Sequence, residues 1–562
     1  MSERKRARLL DLGRDHHISH AALEGLLKQL SDEDLPEAFS SRTQQRHRQK
    51  EAYQQTTFGP LCQRIEVETD EGLEHVWVQH PFGFIEAACK RSEPFRRLIT
   101  RVLDRTGNTI RIAAYSDEIT PGNPLKEVNG RKLEAIYWSI LDFQFPTLCN
   151  EQAWMTACVC RSDLVLRLKG GMSQLFRIVL KVFFGAPLQP DLRVGVELNI
   201  FGEAMPRILR GSLAVILQDE RAFKFSMEVM GATGIKLCAL CQNVVSFKCN
   251  LAKSDRTGYA VPSTELDASK FKLHSNASIR GVQDRLVEEE ATRGTTARKE
   301  LETLLGYKFN PESLLQDKDL AIQVADVWAY DWMHNYLLDA VLDLLAAENL
   351  GGATLHEYFK LWEWPGGYAS GNGLCKKVPS HEASGSASEY MSAAPVIRKY
   401  MLDVVLKKAP RFNGAVDSMV KLCNVLDLLS IVNAGVVTPA QLMNAIVAHY
   451  TAQQAYWGTK LWKPKSHFNM HLPSQLHRHG LLLSTFLMER KHRTPKRFAN
   501  ERMNTTSFER SLIEEITCQH LFELKYELEG IDLLEPRPAS KKMLQAICSV
   551  MHVRPGAEVV SG

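Results

Sequence analysis

The apolar periodicity of this 562-residue chain changes once along its length, and that change limits the folds open to it. Strand-type patterns are confined to the first 220 or so residues. Residues 64–67 and 75–79 alternate apolar and polar, while 108–115 (NTIRIAAY) and 211–217 (GSLAVIL) are β-rich runs of the kind that a buried strand needs. Residues 132–143 (KLEAIYWSILDF) read as another strand, a Pro-Gly-Asn-Pro turn signal occupies 121–124, and helical spacing covers 172–184 and 222–230. From about 313 onward helical spacing takes over, in 320–348, 396–408, 415–432 and 439–457. The Gly- and Ser-rich stretch 364–393 reads as a loop, and polar 255–300 as a surface excursion.

This order predicts an α/β protein: a mixed-sheet core whose last helix is separated from the rest by a large all-α insertion. The expected divisions are an N-terminal polar and basic helical segment (1–59), with helical spacing at 16–30, and a first part of the core (60–254). The helical insertion (255–457), a C-terminal helical part completing the core (458–550) and a tail (551–562) follow. Lys and Arg total 69 against 65 Asp and Glu, a net charge of +4, which excludes a histone-like polycation but leaves room for a local nucleic-acid groove. No apolar run approaches the roughly 18 residues of a membrane-spanning helix. The opening MSERKRARLLDLGRDHH lacks the apolar core of a secretory leader, so a reducing compartment is expected and the twelve cysteines are read as free thiols plus one metal site.

Two strand patterns run straight into acids, Asp117 in SDE and Asp219 in QDE. A carboxylate just past a buried strand sits at the rim of a sheet, where a divalent cation can reach it, although Asp also favours turns for its own backbone reasons. Glu118 and Glu220 adjoin them. Cys238-Ala-Leu-Cys241 has the spacing of half a tetrahedral zinc site. The best-spaced histidine pair, His467 and His471, would place both imidazoles on one helical face, with Pro464 able to start the helix and Pro473 limiting it. A zinc shared by these four residues would clamp the two ends of the helical insertion together; a buried thiol pair and surface histidines, in a stretch that also holds His477, His479 and His492, are the alternative. A third acid, Glu489, follows an apolar helical stretch and is trailed by Arg490, Lys491, His492, Arg493, Lys496 and Arg497. Carboxylate and cations together suit a metal site facing a phosphate backbone, and equally a solvated helix face. Glu501, Glu514 and Glu515 compete for the third position. Asp331 and His334 in YDWMH form a further pair, read as metal-binding or as a buried hydrogen-bonded couple. No phosphate loop, nucleophile elbow or H-E-x-x-H is present.

SDEITPGNPL with KLEAIYWSILDF, LQDERAFK with GIKLCALC, DWMHN, and KPKSHFNMHLPSQLHRHGLLLSTFLMERKH together resemble the eukaryotic DDE transposases of the CACTA-like and Plavaka/KDZ-like groups. Their arrangement is also similar to the catalytic core of the V(D)J recombinase. The resemblance covers about residues 100–250 and 325–500. It implies an RNase H-like fold in which Asp117, Asp219 and Glu489 hold two Mg²⁺ ions (Mn²⁺ as a substitute), and a structural Zn²⁺ on Cys238, Cys241, His467 and His471. It further implies DNA as partner, with Arg490, Lys491, Arg493, Lys496 and Arg497 as phosphate contacts, a homodimer or larger assembly on DNA, and no membrane association. Nuclear localisation is inferred from that role, beside the short Arg4-Lys5-Arg6-Ala7-Arg8 cluster. The expected activity is metal-dependent phosphodiester hydrolysis and strand transfer; the alternative is a catalytically inactive, domesticated DNA-binding or scaffold protein that keeps the zinc. The chain departs from these families in lacking an N-terminal DNA-binding domain with zinc-finger spacing.

Overall fold

A computed structural model describes residues 50–121, 132–185, 190–333, 336, 341, 344–345, 353–362, 364, 387–501 and 507–526, with the short pairs 537–538 and 560–561. The helix expected at 16–30, the basic cluster at 4–8, most of the turn at 121–124, and His334 lie outside the described residues.

The architecture is mixed α/β. Strands β1 (Cys62–Thr69) and β2 (Gly72–Gln79) form an antiparallel hairpin in the register Cys62 opposite Gln79. Helices α1 (Pro81–Arg91) and α2 (Glu93–Thr106) follow. Three antiparallel neighbours come next: β3 (Thr109–Ile119), β4 (Leu133–Ile140) and β5 (Met155–Arg161). Helix α3 (Gly171–Phe184) leads to the short β6 (Val196–Leu198) and to β7 (Arg207–Gln218), which lies parallel to β3. After α4 (Glu220–Ser226), the long α5 (Asn276–Leu305) and a short turn, β8 (Trp328–Tyr330) pairs parallel with β7. The sheet order is β8-β7-β3-β4-β5-β2-β1, with β6 beside β7. Three adjacent strands, β3, β7 and β8, are therefore parallel and carry their C-terminal ends to one edge of the sheet.

The remainder is helical. Besides a helix at Ala353–Lys360, it includes α6 (Ala387–Tyr400), α7 (Asn413–Ile431), α8 (Pro439–Trp457), α9 (Pro464–Phe468), α10 (Leu472–His479), α11 (Phe486–Lys491), α12 (Arg493–Glu501) and α13 (Phe508–Tyr526). The α8 boundaries follow from local chemistry. Thr438 accepts from the Gln441 amide, Gln441 reaches back to the Thr438 amide, and Pro439 takes the first helical position. Helices α7 and α8 pack on each other, and α13 lies across β5, β2 and α1. Arg161 on β5 pairs with Glu509 of α13 at 2.5 Å, and Gln79 on β2 donates to Thr517 at 2.9 Å. The chain's last described helix thus covers strands laid down some 350 residues earlier.

Several elements differ from the sequence expectation. Residues 81–106, inside a section read as strands, are two helices. The apolar cluster Phe82, Phe84, Ile85, Ala87, Ala88 and Cys89 in α1 is buried nearly all round, which erases the helical period. Strand β3 runs on through Ser116 and Asp117 to Ile119 instead of stopping before them. Met155–Arg161, between the strand pattern at 132–143 and the helical spacing at 172–184, is a strand buried on both faces. Polar 255–300 is not all surface excursion, since α5 occupies its second half and is broken at Gly294, whose φ of 82° only glycine adopts at no steric cost. Trp328–Tyr330, expected inside a helix over 320–348, is a strand. Ala387–Ala393, read as loop, belongs to α6.

Candidate metal centre and carboxylate cluster

Two constellations stand at the sheet edge where β3, β7 and β8 end. The first is built from residues distant in sequence. Cys238 and Cys241 lie in a tight turn closed by the Cys241 amide on the Cys238 carbonyl, and the turn is braced from behind by Tyr307, whose hydroxyl donates to the Ala239 carbonyl at 2.8 Å. His467 sits on α9 and His471 at the end of the 3-10 turn that follows, so both imidazoles leave the same face. The four donor atoms all lie within 4.8 Å of one another and all four residues are buried. Cys238 Sγ is 3.3 Å from His471 Nε2, Cys241 Sγ is 3.5 Å from each Nε2, and the two Nε2 atoms are 3.3 Å apart.

A tetrahedral zinc with bonds of about 2.3 Å to sulfur and 2.0–2.1 Å to nitrogen needs S···N edges of about 3.5 Å and an N···N edge of about 3.3 Å. The observed edges match this, so the set can hold a metal such as zinc. Electrostatics favour a ligand role at Cys238. Burial opposes ionisation, yet hydrogen bonding from Cys241 and the charge and contacts of His471 and His467 hold the Cys238 thiol well below its ordinary range. Burial, hydrogen bonding with Cys238 and the Cys238 charge push Cys241 up, a penalty that a bound cation would relieve, and burial pushes His467 down. Aromatic rings wall the set off from water: Phe271 lies edge-on to His467 at 4.9 Å, and Tyr330 of β8 stacks near His471 at 5.9 Å and brings its hydroxyl within 3.5 Å of Cys238 Sγ.

The second constellation is acidic. Asp117 lies on β3 and Asp219 directly after β7; because the two strands are parallel neighbours in the register Tyr115–Leu217, the carboxylates emerge at the same level. A Gln218 amide bond to the Ser116 hydroxyl (2.5 Å) ties the strand ends together, and the Ser226 hydroxyl donates to Gln218 at 2.9 Å from α4. Asp117 accepts from the Tyr115 hydroxyl at 2.8 Å and from the Glu118 amide at 2.7 Å. Asp219 caps α4 by accepting from the Ala222 amide at 2.6 Å. Both line a cavity of about 510 Å³ whose walls include Lys132, Glu134, Met172, Arg221 and Phe225. Burial, the charge of Asp219 and the charge of Glu489 push the Asp117 carboxyl up to about 7, against hydrogen bonds that work the other way. The charge of Glu489 is thus felt at Asp117. Glu514 is engaged instead by Tyr53 (2.7 Å) and Arg510 (2.8 Å). Among the described residues, the compact metal-donor set is the cysteine–histidine group, and these acids do not form a second one as tight.

The basic residues after Glu489 divide. Arg490 and Arg493 are exposed and share Glu151 as an acidic neighbour, at 3.8 Å and 3.1 Å. Lys496 and Arg497 are half-buried. Lys491, expected to meet phosphates, does not face outward. It is buried against the Tyr137 ring, donates to the Glu151 carbonyl at 2.9 Å, and burial pushes its ammonium down to about 8. Two residues went unassigned in the sequence reading, Tyr115 and Thr485, and His492, read there with the basic residues after Glu489 and as a surface histidine, is instead buried beside Tyr115 and Tyr137. Tyr115 was open to inference, since it shares a strand face with Asp117 at the two-residue period. No protein-family model matches the chain, and no curated protein matches its sequence.

Proposed function

We propose that this chain is a DDE-type transposase, or a descendant of one, built on an RNase H-like core. The observation that carries the reading is the pair of parallel strand ends presenting Asp117 and Asp219 to one cavity, with Glu489 close enough to act on Asp117 electrostatically. The sheet order supports the fold assignment: an antiparallel trio (β3, β4, β5) is extended by two parallel strands (β7, β8), with helices after β7 and a long helical excursion before β8 closes. The donor chemistry suits Mg²⁺ or Mn²⁺, because the oxygens are hard and the repulsion that adds to burial in raising Asp117 is the kind a divalent ion relieves. Two such ions would supply Lewis-acid stabilisation of phosphate charge and a more acidic water. The chain's own residues do the positioning: Tyr115 orients Asp117, the α4 cap orients Asp219, and α11 carries Glu489. Arg490, Arg493, Lys496 and Arg497 flank Glu489 and would neutralise phosphates of a DNA end, with nuclear action and a dimer on paired ends following from that role. Zinc at the cysteine–histidine set is structural in this reading, because all four positions are protein donors and buried.

The test is cleavage of duplex DNA by purified protein with Mg²⁺ or Mn²⁺, beside D117A and D219A. Expected is metal-dependent nicking or strand transfer that both variants abolish; activity that survives either substitution refutes the assignment. A second reading, a non-catalytic DNA-binding scaffold, is favoured by the acids not closing into a tight donor set among the described residues. It predicts salt-sensitive DNA binding without turnover.

A further inference from the structure

A third acid ends the third parallel strand. Asp331 follows β8, whose Tyr330 pairs with Gln218, so Asp331 stands level with Asp219. Its place in the row suggests another cation ligand, but its contacts do not. The side chain is 2% exposed, and both carboxylate oxygens are already engaged. Oδ2 accepts from the Thr485 hydroxyl at 2.7 Å, and Oδ1 accepts from the Thr485 amide at 3.3 Å and the Met333 amide at 3.1 Å.

Thr485 is the residue before α11. A threonine at such a position ordinarily turns its hydroxyl onto its own helix, and this one makes no capping bond of that kind. Its hydroxyl goes to Asp331, 154 residues earlier in sequence, while its carbonyl accepts the Glu489 amide at 3.0 Å. The connection is therefore continuous, from β7 through β8 to Asp331, to Thr485, and one helical turn on to Glu489.

We propose that Asp331 is a positioning residue that, through Thr485, fixes the start of α11 and so holds Glu489 toward the edge that carries Asp117 and Asp219. Asp331 then contacts neither cation nor substrate. This inference rests on the reading of Glu489 as a member of the carboxylate cluster, yet the Asp331–Thr485 contact can be examined without it. Asparagine at 331 keeps one acceptor and replaces the other with a donor that the Thr485 hydroxyl cannot use as it uses a carboxylate. Valine at 485 removes the hydroxyl and preserves the shape.

The experiment compares D331N, T485V, T485S and the D331N/T485V double variant in the full-length protein by amide hydrogen exchange and by Mn²⁺-dependent DNA cleavage. Expected are faster exchange across 485–491 in D331N and T485V, unchanged exchange around Cys238–Cys241, and cleavage lowered about 10- to 100-fold in each. T485S should restore cleavage, and the double variant should be no worse than the weaker single, because both act through one contact. Cleavage lost in D331N but kept in T485V would overturn the proposal and make Asp331 a ligand; so would unchanged exchange over 485–491 in both variants. If the wild-type protein cleaves no DNA, the functional reading fails. In that case exchange alone decides: loosening confined to 485–491 upholds the positioning contact, and its absence overturns it.

Discussion

Replacing Cys238 by Ser removes one donor from a set that joins residues 226 to 233 positions apart. With a metal bound, that set is a cross-link closing a loop of 226 residues, the separation of Cys241 and His467. Loop-closure entropy for that length is about 18 cal/(mol K), which corresponds to about 5 kcal/mol at 25 °C taken from the unfolded chain. That amount rivals the whole stability of an ordinary domain, about 5–15 kcal/mol. The variant is therefore expected to lose bound zinc and to unfold at markedly lower denaturant. Its sharpest susceptibility to protease should fall between 242 and 466, the segment the clamp closes. Metal content is read by elemental analysis, stability by urea titration, and a chelator added to the wild-type protein should reproduce the shift. The partly exposed Cys249, whose thiol donates to the Ser246 carbonyl at 2.9 Å, serves as the control. One full zinc equivalent in C238S, or a wild-type midpoint that chelation leaves unmoved, would refute the reasoning.

Three further expectations follow from particular contacts. His80 is buried between Phe58 and Phe82, its Nδ1 accepts from the Gly83 amide at 3.2 Å, and burial pushes its pKa down to about 4. A depressed histidine stabilises the fold fully above its unfolded pKa of roughly 6.5 and loses that contribution as pH falls toward 4. H80N, which retains an acceptor for the cap, should flatten the stability loss between pH 6.5 and 4; an unchanged slope contradicts the assignment. Trp328 of β8 stacks on Phe223 of α4 with ring centroids 3.4 Å apart, so W328A should cost about 3–5 kcal/mol in urea unfolding, and a loss below about 1 kcal/mol would show that the stack is dispensable. Y115F removes the hydroxyl that donates to Asp117; without that bond the carboxyl should rise further, and the acid limb of any pH–activity profile should move to higher pH.

Much of the chemistry was legible in the sequence because it rests on local signals. The cysteine spacing and the i, i+4 histidines are each set within five residues, and Asp219 after a β-rich run marks the end of β7, although β3 runs on past Asp117. Helix α8 announced itself by its period over 439–457. What stayed hidden depends on long-range burial. Strand β8 is three residues long, too short for any period, and its identity comes from pairing with β7. Helix α1 is buried on nearly every face and so shows no polar stripe, though Ser92 before Glu93-Pro94 marks the start of α2. The burial of Lys491 was equally invisible, since a lysine among five other basic residues reads as surface until its neighbours are placed. Thr485 gives no signal of its own, because its partner lies 154 residues away.

The cover that α13 provides for β2 and β5 also bears on how the protein is made. When β5 leaves the ribosome, the residue that will pair with Arg161 is 348 positions from being synthesised. At about 5–20 residues per second that interval lasts roughly 20–70 s. Throughout it the apolar face that Phe508–Tyr526 later shields stands open to other nascent chains. A chain built this way depends on being held apart from its neighbours until α13 has been translated, and truncations before residue 508 should accumulate as aggregates rather than as a free-standing sheet.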